Sequence, residues 1–170
     1  MVLARLILLA LLALAARPGA ASAQAPGIPP ASMAIPDSGF QAFLVEFEAA
    51  TTDFLNGDAR AWIANASHAD DVSLFNPFGM IGKGWTQVGA MYAKGASRLS
   101  PRGAALAVEY LTIVVAGDQA YTIAIERSTF RPTAQDPRSA GLTRATDLFR
   151  REAGHWKLVH RHMDHLRPPE

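Results

Sequence analysis

Ala145-Thr146-Asp147-Leu148-Phe149-Arg150-Arg151, a connection Glu152-Ala153-Gly154, then His155-Trp156-Lys157-Leu158-Val159-His160-Arg161-His162-Met163-Asp164 form the stretch that decides the fold. Two β-forming runs flank a link short enough for a tight hairpin, so the chain closes on an antiparallel pair. Four of the five histidines fall between His155 and His165. Strand side chains alternate between faces, which places His160 and His162 on one face, two residues apart. That pair admits three readings: a proton-handling site, half of a metal site, or the polar end of a sheet.

Working outward, two more β-rich runs precede the pair. They cover 105–116 and 120–131, with Gly117-Asp118 between them as a second tight turn and 132–141 as a longer loop. Further back the periodicity changes. Phe40, Phe43, Leu44, Phe47 and Phe54-Leu55 recur at helical spacing up to Asn56-Gly57. Asp58 caps a short second helix over 59–66, which carries Trp62 and Ile63. A short strand over 72–75 stops at Asn76-Pro77, Gly79, Gly82 and Gly84 form a turn, and Trp85–Ser97 reads as a third helix. Helices first and a meandering antiparallel sheet afterwards is the α+β class.

The first residues have a different character. Arg5, an apolar run over 6–16, the break at Arg17-Pro18-Gly19 and the small residues Ala21-Ser22-Ala23 read as a secretory signal cleaved before Gln24. The expectation is therefore a periplasmic or secreted protein. The apolar run is short of the roughly 20 residues that span a bilayer. Residues 24–38 read as a Pro-rich linker, 39–166 as one domain and 167–170 as a tail. Without the leader's two arginines, 14 basic residues face 15 acidic ones. That balance offers no phosphate-neutralising surface, so no nucleic-acid partner is expected, and no membrane partner after cleavage. Cysteine is absent, which excludes thiol catalysis and cysteine–zinc sites.

Asn56-Gly57-Asp58, Leu74-Phe75-Asn76-Pro77 and, above all, the terminal 145–162 pattern resemble the nuclear transport factor 2-like superfamily, in its SnoaL-like and ketosteroid-isomerase-like branch. The terminal pattern is also similar to the calcium/calmodulin-dependent kinase II association domain. The resemblance implies a cone: a strongly curved antiparallel sheet wrapped on three N-terminal helices, enclosing a pocket for a small apolar molecule. It implies a homodimer through the sheet's outer face, and no cofactor. It also implies that Glu126 and Asp147 point into the pocket, at positions where the association domain carries basic residues.

Those two acids are the candidate chemistry. A carboxylate held in an apolar cone is desolvated, its pKa rises, and it can serve as general acid or base near neutrality. The alternative is structural, with Glu126 paired to Arg127 or Arg144 and Asp147 to Arg161. His162 is a candidate relay or oxyanion stabiliser, whereas His160 reads as structural. A metal at this pair would need a further ligand such as Asp164, and no metal is expected. Trp62, Phe75, Asn76, Tyr92, Phe149 and Arg161 are the expected pocket residues. Arg98, Arg102, Arg131 and Arg138 fall in loop-like stretches and read as solvated surface.

Two functions of different class follow. One is a secreted binding module for a small, largely apolar molecule, non-catalytic. The other is a cofactor-independent isomerase, cyclase or dehydratase, with Asp147 as general base and Tyr92 or His162 stabilising the developing charge. A third, an assembly domain that works through its surface, lacks an attached partner domain to assemble.

Overall fold

Phe40, Phe43, Leu44, Phe47, Ala50 and Thr51 form the buried stripe of the first helix, α1 (Ser38–Leu55). The computed structural model describes residues 37–99, 103–129, 131 and 140–166. The proposed leader, most of the linker, the tail, and Arg102 and Arg138 lie outside them. Helix α1 starts within the stretch read as linker, because the Asp37 carboxylate accepts a 2.8 Å hydrogen bond from the Gly39 amide and caps it. It ends at Asn56, whose side-chain amide reaches across the fold. Its Nδ2 donates to the Ala104 carbonyl and its Oδ1 accepts from the Ala104 amide, at 3.2 and 2.9 Å. Gly57 turns the chain at φ +94°, where a β-carbon would lie 2.9 Å from the Leu99 carbonyl.

Helix α2 (Arg60–Asn65) follows, with Trp62 as its buried residue. The Asp58 carboxylate accepts from the Arg60 amide at 3.0 Å, so it holds the helix start as the sequence suggests. Strand β1 (Ser73–Phe75) and a second short strand, β2 (Ile81–Lys83), then form a hairpin. The glycines around 81–83 mask β2 in the sequence, where it reads as turn. Helix α3 (Trp85–Ser97) buries Val88, Tyr92 and Ala96.

Four long strands complete the chain: β3 (Ala105–Ala116), β4 (Gln119–Thr129), β5 (Ala140–Glu152) and β6 (His155–His165). The six strands lie in the order β2-β1-β6-β5-β4-β3. Pairing is antiparallel except between β1 and β6, which run parallel, so the sheet is mixed and open rather than wholly antiparallel. The β5–β6 turn uses Ala153 and Gly154 at φ 48° and 85°, the paired positive values that suit a two-residue hairpin.

One detail of β6 governs the site. Leu148 pairs with His160 but Phe149 pairs with Leu158, leaving Val159 as an extra residue. A β-bulge of this kind shifts the alternation by one. Trp156 and Leu158 face the core before the bulge, and Arg161 faces inward after it. Under α1, Phe149 meets Phe40, Phe43 and Phe47 at ring distances of 5.3, 5.5 and 5.4 Å. Each ring removed from water stabilises the fold by about 1.5–3 kcal/mol. This aromatic block fills one end of the sheet and leaves the other end open.

Candidate functional site

The open end holds a cavity of about 600 Å³, within the range of small-molecule sites. Phe54 from α1, Trp62 from α2, Leu74 from β1, Met91 from α3, Leu106 from β3 and Met163 from β6 give it a mainly apolar wall. Its polar end is built by Arg161. The guanidinium is 1% exposed, donates from Nη1 to Asp147 Oδ2 at 2.7 Å, and from Nη2 to both Glu126 oxygens at 2.5 and 2.6 Å. Its Nε lies 2.9 Å from Met163 Sδ. The guanidinium carbon lies 5.1 Å from the Trp62 ring centre and 5.8 Å from that of Phe47, in cation–π reach of these two adjacent rings.

Register explains how three strands deliver these groups. Asp147 on β5 pairs directly with Arg161 on β6, while Glu126 on β4 reaches the same guanidinium from opposite Thr143. Arg127 and Arg144, the other cations considered for Glu126, pair with Glu109 and Asp164 instead. The two carboxylates share one arginine.

Burial pushes Asp147 up to about 7, with the Arg161 charge pulling it down and the Glu126 charge adding to the rise. Its second oxygen, Oδ1, is buried without a hydrogen-bond partner among the described residues. Burial also drives the Tyr92 phenol up to about 12, so it stays protonated at neutral pH. The Tyr92 hydroxyl and the Trp62 indole nitrogen are likewise buried and unpartnered among the described residues.

The expected site residues separate into two groups. Trp62, Tyr92, Asn76, Glu126 and Arg161 all border the cavity, with Asp147 directly behind Arg161. Asn76 sits at the mouth, where its Oδ1 accepts from the Phe78 and Met80 amides, both at 3.0 Å. It shapes the β1–β2 turn. Phe149, Phe75 and His162 lie elsewhere. Phe149 belongs to the aromatic core, because Asp147 and Phe149 share a face but only the former reaches the cavity end. The Val159 bulge turns His160 and His162 to the face of the sheet opposite Arg161, and neither borders this cavity. There His160 Nδ1 lies 2.8 Å from Ser73 Oγ, and Phe75 contacts both imidazoles edge-on. Burial and the neighbouring His162 lower the pKa of His160.

Two cations at the cavity carry no functional signal of their own in the sequence. Lys94 was not singled out and Arg98 read as solvated loop, yet both border the cavity. The available signal is spacing, since Ala90, Lys94 and Arg98 stand four residues apart along α3 and its C-cap.

The model of the SnoaL-like domain matches residues 45–164, which takes in every described residue bordering the cavity except His165. The chain belongs to the SnoaL-like domain family. Solved structures agree on the fold. A nuclear transport factor 2-like family protein from Streptomyces avermitilis superposes with a TM-score of 0.62 at 20% identity, covering 77% of this chain and 97% of that one. A ketosteroid isomerase-like protein from Erwinia carotovora atroseptica gives 0.58 at 19%, over 77% and 96% of the two chains. The calcium/calmodulin-dependent kinase II hub of S. rosetta gives 0.57 at 20%, over 77% and 97%. No curated protein matches the chain. At these identities the likeness is one of fold, and the SnoaL-like cone is what all of them share.

Proposed function

We propose that this SnoaL-like domain binds a small, largely apolar molecule in its cavity, without transforming it. The observation that carries the reading is the Arg161 cluster. Both carboxylates nearest the cavity are committed to one buried guanidinium, which turns a potential acid–base pair into a fixed, nearly neutral floor. A floor of that kind supports an apolar ligand and offers it no free base. The alternative, a cofactor-independent isomerase, cyclase or dehydratase, is favoured by the pKa of Asp147 at about 7. It is weakened by position, because Asp147 stands behind Arg161 rather than on the cavity wall.

The sequence of charged, apolar and small regions before Gln24 supports export, so the working form starts there. Native mass spectrometry of the protein purified from its producing cells tests both points. The expected spectrum shows a chain beginning at Gln24 carrying a non-covalent small-molecule adduct that leaves on denaturation. A chain beginning at Met1 contradicts export. An adduct that is modified on incubation favours the enzyme.

The outer face of the sheet supports a homodimer. Tyr121, Ile123 and Leu148 are 39, 39 and 41% exposed, with Tyr121 opposite Leu148 on neighbouring strands. An apolar patch of this kind marks an interface. The hub-named relative makes self-association a reasonable role for the same fold. Ile123→Lys places a charge in the patch and weakens the dimer by about thirtyfold or more. Light scattering at micromolar concentration reads the result, and a wild-type protein already monomeric there contradicts the dimer.

A further inference from the structure

We propose that the cavity selects an amphipathic monoanion, with its apolar body inside and a single carboxylate at the mouth between Lys94 and Arg98. This rests on the binding reading above and adds the charge and the orientation of the ligand. Helix α3 and the two residues that follow it present Ala90, Met91, Lys94, Gly95, Arg98 and Leu99 to the cavity. Met91 lies deeper, and Lys94 and Arg98, one helical turn apart, are both exposed. Their long stems can cover apolar wall while the charged heads stay at the water boundary.

Neither cation has a carboxylate partner among the described residues. Among the described residues Glu126 is the one acid bordering the cavity, and Arg161 holds both its oxygens. Two like charges four residues apart on a helix repel each other. Their position near the end of α3 offsets part of that repulsion through the helix dipole. The dipole explains cations in the last turns. It does not explain their lying on the stripe that continues Met91 and Gly95 along the cavity wall.

The deep end decides orientation. Arg161 is already bound by two carboxylates, so it offers an incoming anion no unmet charge. The apolar body goes inward, and the anion remains where uncompensated positive charge is found. Across the mouth, His165 packs edge-on against Phe78 at 5.6 Å, and Phe78 is 72% exposed. That aromatic rim suits the chain just below a headgroup.

Calorimetric titration of the purified protein at pH 8 with decanoate, decan-1-ol and decylamine tests the proposal. These probes share one apolar chain and differ in head charge. Decanoate is expected to bind about tenfold more tightly than decanol, and decylamine more weakly than either. The decanoate preference should shrink in high salt, because the two cations are exposed. In the Lys94→Gln/Arg98→Gln double variant decanoate loses its advantage and binds no more tightly than decanol, while decanol still binds saturably, which shows an intact cavity. Equal wild-type affinities for decanoate and decanol overturn the anion proposal and leave the binding reading standing. Preference for decylamine overturns it as well. Failure of all three probes to bind overturns both readings.

Discussion

Arg161→Met lowers the unfolding free energy by about 3–5 kcal/mol at pH 8, because it leaves two buried carboxylates without their counter-charge. Domains of this size have about 5–15 kcal/mol to lose, so the variant stands near the edge of folding. The loss has a pH signature. With the guanidinium gone, Asp147 is neutralised more readily, and the deficit should narrow as pH falls towards 5. Adding Glu126→Gln and Asp147→Asn to Arg161→Met removes the stranded charges and should recover much of the stability at pH 8. Urea melts of the three proteins at both pH values check this. A loss below about 1 kcal/mol for Arg161→Met at pH 8 would mean that the buried cluster is not the structural centre of the site.

The second large effect is carried by Asp147. Its carboxyl is raised to about 7 by burial, against an unfolded value near 3.8. Between these values the folded protein holds a proton that the unfolded chain has released. The stability it contributes is therefore fully present below about pH 4 and is lost as pH rises through 7. Asp147→Asn cannot lose that proton. Plotted as wild type minus variant, stability should fall by an amount on the order of 2–4 kcal/mol from pH 4 to pH 8. The subtraction matters, since Asp37, Asp58, Asp71, Glu152 and Asp164 are held below their ordinary range and slope the other way at acid pH. Parallel curves for the two proteins would place the Asp147 pKa in the ordinary carboxylate range.

The two predictions expose what sequence periodicity can and cannot convey. The buried face of α1 was legible, because Phe40, Phe43, Leu44 and Phe47 fall at helical spacing and the core accepts all four. The two tight hairpins were legible from Gly117-Asp118 and Ala153-Gly154, where backbone chemistry is local. Arg161 and Asp147 were recognisable as a potential pair. Which face they share was not, since it depends on the extra residue at Val159. Valine is an ordinary strand residue, and nothing in its side chain announces a bulge. Without the bulge, continued alternation from Trp156 and Leu158 would bring His160 and His162 inward and turn Arg161 out.

Strand β2 was hidden for a different reason. Three residues between glycines carry too little pattern to separate strand from turn, and their pairing with β1 is a tertiary fact. Lys94 and Arg98 were hidden because exposed cations near a helix end are common. Only the cavity beside them makes their stripe informative.

Methionine makes the central claim directly measurable. The described methionines, Met80, Met91 and Met163, all border the cavity, on the β1–β2 turn, α3 and β6. With ¹³C-labelled methionine methyls, titration with decan-1-ol is expected to shift these three signals together, saturably and with one dissociation constant, in wild type. Met163 should move most if the chain reaches the Arg161 floor, since its sulfur touches that guanidinium. Signals that stay fixed to the solubility limit, or drift linearly without saturation, would contradict a ligand-binding cavity in this protein.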